Sequence, residues 1–428
     1  VGHRIVIGKL LLLALLVGAL SGGLVTLYGL LCRGVSYLLY FGDPFETIPT
    51  LPIWYLYLAP TLSILSVNWI ISKYPAAREY GVREIAEGIE QNKITFKIRD
   101  LFWKIVASAL SIGSGFAIGN EGPSAAIGAM VASKLHSLLK LPQQLVKVAL
   151  GIGASSGIAA IFVSPVTGIT FAIESVAYSF LHYFSLYIIF GSVLAFALSS
   201  LFLEPLIFNY SAGKLLHYRY IIGTILFIPV ITLAILLYLS LRDRLLSFLN
   251  QKIVARYPKL RNWIFALIGG GVIGTILYLS PYAGFSGHEV VAILINDSNH
   301  FPLWMIGVIV LLRIFGTTIS IYANGVGGVF VPLMSIGALI GYGFGESLNL
   351  FFPWKVEPFY FAGIGAGIFM GVNMRLPLTA VVLALETTYD YNVIVPTAIG
   401  VVLVSYLISF KFTPATLFPA GLPHQMKD

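Results

Sequence analysis

Apolar residues along this chain fall in long runs, and the polar residues collect between them. The first run extends from about Ile5 to Leu39. A helix needs about 20 residues to cross a hydrocarbon core. This run therefore predicts one long tilted helix, or a span with a short re-entry. No polar cleavage region follows a short apolar core, as it would in a signal peptide. Further runs lie near 53–72, 101–118, 122–139, 145–163, 184–204, 217–240, 262–281, 303–323, 329–351, 359–374, 377–388 and 392–410. Several are too short to span or are interrupted by glycine and proline. They predict discontinuous helices, which a bilayer tolerates only where protein or a water-filled cavity covers the broken backbone. Transporters build substrate sites from such breaks. The pattern predicts an all-α polytopic membrane protein, since a barrel would alternate over segments of roughly ten residues.

Composition agrees and excludes several classes. Of 428 residues, 58% are hydrophobic and 10% charged, and the mean hydropathy is +0.90. A soluble domain carries about 25% charged residues. An ordinary cytosolic enzyme, a disordered chain and a coiled coil are therefore excluded. The single cysteine, Cys32, permits no intrachain disulfide.

The net charge of +8 comes from 26 basic and 18 acidic residues, and its placement gives an orientation. Bases crowd the 73–104 and 242–261 regions, which predicts that both are cytoplasmic loops. The 42–52 loop holds Asp43 and Glu46 with no base, and 281–302 holds Glu289 and Asp297 with no Lys or Arg. Both should face outward. Arg313 and Arg375 stand near apolar runs and read as helix-end residues that snorkel to the interface. No basic run is interleaved with aromatics, so no nucleic acid partner is expected.

An internal repeat emerges at a fixed register. Gly151-Ile152-Gly153-Ala154 recurs as Gly363-Ile364-Gly365-Ala366, 212 residues on. At the same offset Pro165-Val166-Thr167 recurs as Pro377-Leu378-Thr379, and Glu174 as Glu386. Pro123 with Ile127-Gly128-Ala129 recurs as Pro332 with Ile336-Gly337-Ala338 at an offset of 209. Two units follow, 1–210 and 211–428, with no soluble regulatory domain expected. Such repeats point to a transporter or channel with its site where the units meet.

Three motifs carry candidate chemistry. Gly119-Asn120-Glu121-Gly122-Pro123 precedes a helical run, and proline favours a helix start. Backbone N–H groups at such a start favour an anion. Glu121 lies there within an apolar stretch, where a carboxylate is functional by default or caps its own helix. The repeat partner is Gly325-Val326-Gly327-Gly328-Val329-Phe330-Val331-Pro332, whose Val329 and Phe330 N–H groups could face an anion. Tyr80-Gly81-Val82-Arg83-Glu84 is weaker and reads by itself as a solvated helix face. Glu174 and Glu386 read as structural caps to neighbouring helices, with a proton relay as the alternative. No nucleotide-binding loop, metal-ligand spacing or nucleophile elbow is present, so neither a cofactor nor a metal is expected.

These residues resemble the CLC family of anion channels and anion/proton antiporters. Gly119 to Pro123 is similar to its G-[K/R]-E-G-P motif, Gly328 to Pro332 to its G-x-F-x-P motif, and Tyr80 to Glu84 falls at its G-S-G-I-P-E motif. The resemblance covers about residues 10 to 421. It implies an inverted repeat, a homodimer and one anion pathway per subunit. It implies further that Glu121 is the gating glutamate and proton carrier. Anion-binding groups would be Tyr80, Gly81, Asn120, Gly122, Val329, Phe330 and Phe418. Four departures stand out. Asn120 replaces the basic residue beside the gate. Tyr80 stands at the family's serine and Phe418 at its tyrosine. Ser175, following Glu174, stands where antiporters carry an inner proton-transfer glutamate.

The reading is anion transport, chloride first, through a pathway gated by Glu121 and open to proton exchange. The alternatives are a passive chloride channel, a fluoride/proton antiporter and, remotely, a membrane-embedded acid/base enzyme using Glu121, Glu174 and Glu386. Expected partners are a small anion, protons, membrane lipids and a second copy of the chain, in a prokaryotic plasma membrane.

Overall fold

The computed structural model describes residues 2–78, 85, 97–175, 184–208, 210, 218–249, 251, 260–296 and 301–412. The helices are α1 (Gly2–Tyr40), α2 (Ile53–Lys73), α3 (Ile98–Gly113), α4 (Glu121–Leu138) and α5 (Val146–Phe162). They continue with α6 (Pro165–Ser175), α7 (Ser185–Ser199), α8 (Tyr218–Leu249), α9 (Arg261–Leu279) and α10 (His288–Asn296). The last are α11 (Leu303–Tyr322), α12 (Phe330–Phe351), α13 (Pro358–Met374), α14 (Pro377–Thr388) and α15 (Ile394–Ser409). The described residues contain no strand, only one isolated bridge. Seven helical stretches among them are long and apolar enough to cross a membrane.

The first apolar run forms one continuous helix, α1, of 39 residues. At 1.5 Å per residue it is about 58 Å long, so it must tilt across a core of about 30 Å. Leu24, Leu27, Leu31 and Leu38 are exposed along it, as a lipid-facing surface requires. Its Lys9 Nζ donates to the Leu139 carbonyl at 2.9 Å, placing a cation at the C-terminal end of α4.

Two expectations need correction. α8 runs to Leu249, so Arg242 and Arg244 are helical where a loop is expected. The acidic 281–302 stretch holds the helix α10, whose start is fixed by local hydrogen bonds: Ser286 Oγ accepts from His288 N and donates to the Glu289 carboxylate. Arg313 does not snorkel. It lies inside α11 and is fully buried. Its guanidinium donates to the carbonyls of Tyr282 (3.4 Å), Gly284 (2.8 Å) and Ser286 (2.9 Å) and to Ser335 Oγ (3.1 Å). Those partners are folded over it by the turn before α10, which hydropathy alone does not reveal. Arg375 does stand at a helix end, the C-terminus of α13.

Glycines set how closely the central helices cross. A Cβ on Gly128 of α4 would overlap the Gly153 carbonyl of α5, and one on Gly337 of α12 the Gly365 carbonyl of α13. The two crossings use the positions that the repeat relates. The backbone breaks also match. Val163 ends α5 and Arg375 ends α13, both left-handed, at φ 51° and 55°. A β-branched valine there costs about 1–2 kcal/mol, which the packing around the turn into α6 must offset.

Gly153→Val is expected to lower stability by about 2 kcal/mol or to abolish folding. Gly271→Ala, on an α9 surface with nothing within 4 Å of the new methyl, should be neutral or slightly stabilising. Denaturant titration in detergent, followed by helicity, compares the two.

Candidate functional site

A helix N-terminus leaves backbone N–H groups without intrahelical partners and carries about half a positive charge. Inside a membrane protein those groups must be answered by something other than bulk water. Four such ends gather in the interior here, and the sequence answers them unequally.

Two are answered by carboxylates from each other's helices. Glu386 of α14 lies on the start of α6, accepting from Val166 N (3.1 Å), Thr167 N (2.7 Å), Thr167 Oγ1 (2.6 Å) and Ser164 Oγ. Glu174 of α6 lies on the start of α14, accepting from Leu378 N (2.7 Å), Thr379 N (2.7 Å) and Thr379 Oγ1 (2.6 Å). Proline at the head of each helix leaves the next two N–H groups to point forward. Both carboxylates therefore hold donors on both oxygens, and their geometry is that of a cap.

The other two ends, of α4 and α12, meet across a short antiparallel bridge. Gly119 N donates to Gly328 O at 2.8 Å, and Gly328 N to Gly119 O at 2.7 Å. The exchange extends outward: Ala117 N donates to Ser320 Oγ (3.0 Å) and Val326 N to Ser111 Oγ (3.1 Å). Each of these pairs is related by the 209-residue offset, so the bonds are reciprocal about a local two-fold axis. A Cβ on either bridging glycine would overlap the Glu121 carboxylate and displace it from this position.

Glu121 is the first residue of α4 and only 2% exposed. Its Oε1 accepts from Phe330 N, the first residue of α12, at 2.6 Å. Its Oε2 is buried without a hydrogen-bond partner. Leaving a buried carboxylate oxygen unbonded is costly. The side chain does not serve as the N-cap of its own helix. That place belongs to Asn120, whose side chain makes no capping bond either. Glu121 instead places its carboxyl group where the start of α12 would otherwise favour an external anion. The N-terminus of α4 is the end left without a side-chain cap. Phe330 is itself fixed by its ring, which packs on Phe162 (centroids 4.6 Å apart) and edge-on to Phe171 (5.8 Å).

Of the residues singled out from the sequence, the structure brings together Asn120, Glu121, Gly122, Val329 and Phe330. Glu174 lies at the α6–α14 pair. Ser175 ends α6, and its side chain is outside the described set, as are Tyr80, Gly81 and Phe418. Sequence reasoning missed Ser111 and Ser320, although their 209-residue spacing could have exposed them. It also missed the partners of Arg313. Among the described residues no group of His, Cys, Asp and Glu has a metal-holding arrangement.

Comparison with known proteins adds an independent finding. A family profile described as voltage-gated chloride channel matches residues 63–409. The H(+)/Cl(-) exchange transporter ClcA of Cronobacter sakazakii is 27% identical over 369 residues, covering 82% of this chain and 76% of that protein. The ClcA of Salmonella paratyphi B is 26% identical over 376 residues, with coverage of 83% and 76%. Among solved structures, a slow cyanobacterial Cl-/H+ antiporter superposes with a TM-score of 0.82 at 20% identity, covering 95% of this chain and 96% of that one. A CLC-type fluoride/proton antiporter gives 0.74 at 20% identity, with coverage of 94% and 95%.

The caps yield a stability prediction. Glu386→Gln and Glu174→Gln each keep one acceptor oxygen and lose the charge-assisted bonds to a helix start. Each should cost about 1–3 kcal/mol. Thermal unfolding in detergent measures it, and a double variant losing no more than either single one would deny that the caps act separately.

Proposed function

This chain belongs to the family of voltage-gated chloride channels, and from that premise we propose that it carries a small inorganic anion, chloride first, past Glu121 in exchange for protons. The observation that supports this most directly is the Glu121 carboxylate on the Phe330 N–H. A side-chain anion sits on the helix start that would hold a transported one. The described relatives named as H(+)/Cl(-) exchange transporters point the same way.

An anion entering the pathway competes with the Glu121 carboxylate for the Phe330 donor, with the Val329 N–H as a neighbouring donor. The start of α4, with Gly122 and the Asn120 amide, offers the second set. Oriented backbone dipoles hold an anion without a full opposing charge, so release stays fast. Glu121, once displaced, takes a proton and returns neutral, which links the two movements. From the sequence we assign Tyr80, Gly81 and Phe418 to the inner part of the same pathway. Glu174 is assigned a structural role, since both its oxygens are held by α14. Ser175 therefore leaves the inner proton route without a carboxylate at its usual place.

Two narrower readings have their own support. Ser175 favours a passive channel, and Asn120, together with the likeness to a solved fluoride/proton antiporter, favours fluoride. An acid/base enzyme is disfavoured because Glu174 and Glu386 are spent on helix ends, apart from Glu121. We further propose repeat units at 1–210 and 211–428 and a homodimer in a prokaryotic plasma membrane. In that arrangement 73–104 and 242–261 face the cytoplasm.

Chloride, fluoride and proton movements measured together in proteoliposomes test the proposal. Anion flux with uphill proton movement is expected, and no anion flux would sink it. Anion flux without uphill proton movement would leave the channel version. Glu121→Gln should abolish proton movement and, at saturating chloride, remove most of the pH dependence of flux. An unchanged pH profile would reject Glu121 as the gate.

A further inference from the structure

Between the end of α1 and the start of α10 lies a polar cavity of about 50 Å³ that reaches Asn120, the residue before Glu121. Its lining brings together Arg33 of α1, Glu204 beyond α7, and His288 and Glu289 of α10. None of these belongs to the pathway assigned above, and they come from three separate segments. A space of this size accommodates a few waters or one small ion.

The cavity is built, not incidental. Arg313 draws the carbonyls of Gly284 and Ser286 inward and so shapes the turn that forms one wall. Ser286 then fixes the start of α10, holding the Glu289 carboxylate at 2.8 Å. Arg33 makes no ion pair with either acid among the described residues. Among those residues it has no fixed counter-charge, which leaves it open to a mobile ion.

With His288 neutral, Glu204 and Glu289 outweigh Arg33 and the lining carries a formal charge of −1, which repels anions. With the imidazole protonated the lining is neutral. The cavity then offers an anion the guanidinium, the imidazolium and the Asn120 amide. We propose that this cavity is a waiting site for a small monovalent anion, and that the charge state of His288 sets its occupancy. The proposal rests on the transport reading above and adds a site and a control to it.

The groups facing His288 fix how the control responds. Burial holds the imidazole below the ordinary histidine range. Glu289 and Glu204 pull it upward, and Arg33 pushes it further down. His288 is therefore neutral near pH 7 and charges only as the solution on the cavity side turns acidic. The wall also holds the Cys32 thiol. Removing Arg33 must raise the pH at which His288 charges, and removing Glu289 must lower it.

The test uses chloride flux in proteoliposomes, with pH varied on one face at a time. Glu121→Gln serves as the background, so that the gate itself no longer titrates. At sub-saturating chloride, acidifying the cavity side should raise flux about tenfold, the scale by which field focusing concentrates an ion. Acidifying the opposite face should change nothing, and saturating chloride should erase the effect. Adding His288→Gln should abolish the rise. Adding Arg33→Gln should move its midpoint to higher pH, and adding Glu289→Gln to lower pH. The Arg33 variant keeps the test open if the α10 variants fold poorly. A rise that survives His288→Gln, no one-sided rise in the background, or midpoints moving the other way would overturn the proposal. Wild-type protein without any anion flux would fail earlier, at the transport reading itself.

Discussion

Backbone N–H groups at the start of a helix have no partner within that helix, and in an apolar interior no bulk water reaches them. Much of this structure follows from how those groups are satisfied. Glu174 and Glu386 close two of the ends by reaching across to each other's helices. The reciprocal bonds of Gly119 and Gly328 then bring the remaining two within reach of a single carboxylate. The closed pair holds donors on both oxygens of each carboxylate, whereas the open pair leaves Glu121 Oε2 without a partner, although both are made from the same local chemistry. What separates them is the number of donors each carboxylate holds.

A second consequence of the low dielectric is that a buried charge must be wrapped by hydrogen-bonding groups. Arg313 is the clearest case. Three carbonyls and one hydroxyl surround its guanidinium, and in doing so they set the conformation of the turn that precedes α10. A cation inside the protein thereby organises a surface-side loop. The glycine crossings at Gly128–Gly153 and Gly337–Gly365 work in the opposite sense, removing side chains so that backbones approach.

The helical architecture was legible because hydropathy marks what lipid can touch, and the runs near 53–72 and 303–323 correspond closely to α2 and α11. Glu121 was legible for a related reason: in so apolar a chain a carboxylate at a glycine-flanked helix start stands out. The repeat register was legible too: it pairs Gly119 with Gly328, which prove to be bonded, and it relates the Ala117–Ser320 bond to the Val326–Ser111 bond. What escaped depends on how distant segments fold back. The bonds of Arg313 come from a turn some thirty residues upstream. The grouping of Arg33, Glu204 and His288 joins positions far apart in sequence that share no pattern. The helical extension of α8 beyond residue 240 escaped because charge was read as loop, whereas arginines on a helix end serve an interface equally well.

The two-fold relation near Gly119 and Gly328 stops one step short of the site. Under the 209-residue offset the counterpart of Glu121 is Phe330, so one copy contributes an acid and the other a ring and a backbone donor. Had both copies kept a carboxylate, two like charges would have faced each other across the axis and shared one proton. Had both kept the ring, nothing at the centre would titrate. A duplicated scaffold has no inherent direction, since its halves are interchangeable. At this one pair of residues the halves stop being equivalent, and the local two-fold relation gives way to a directed pair of acid and donor.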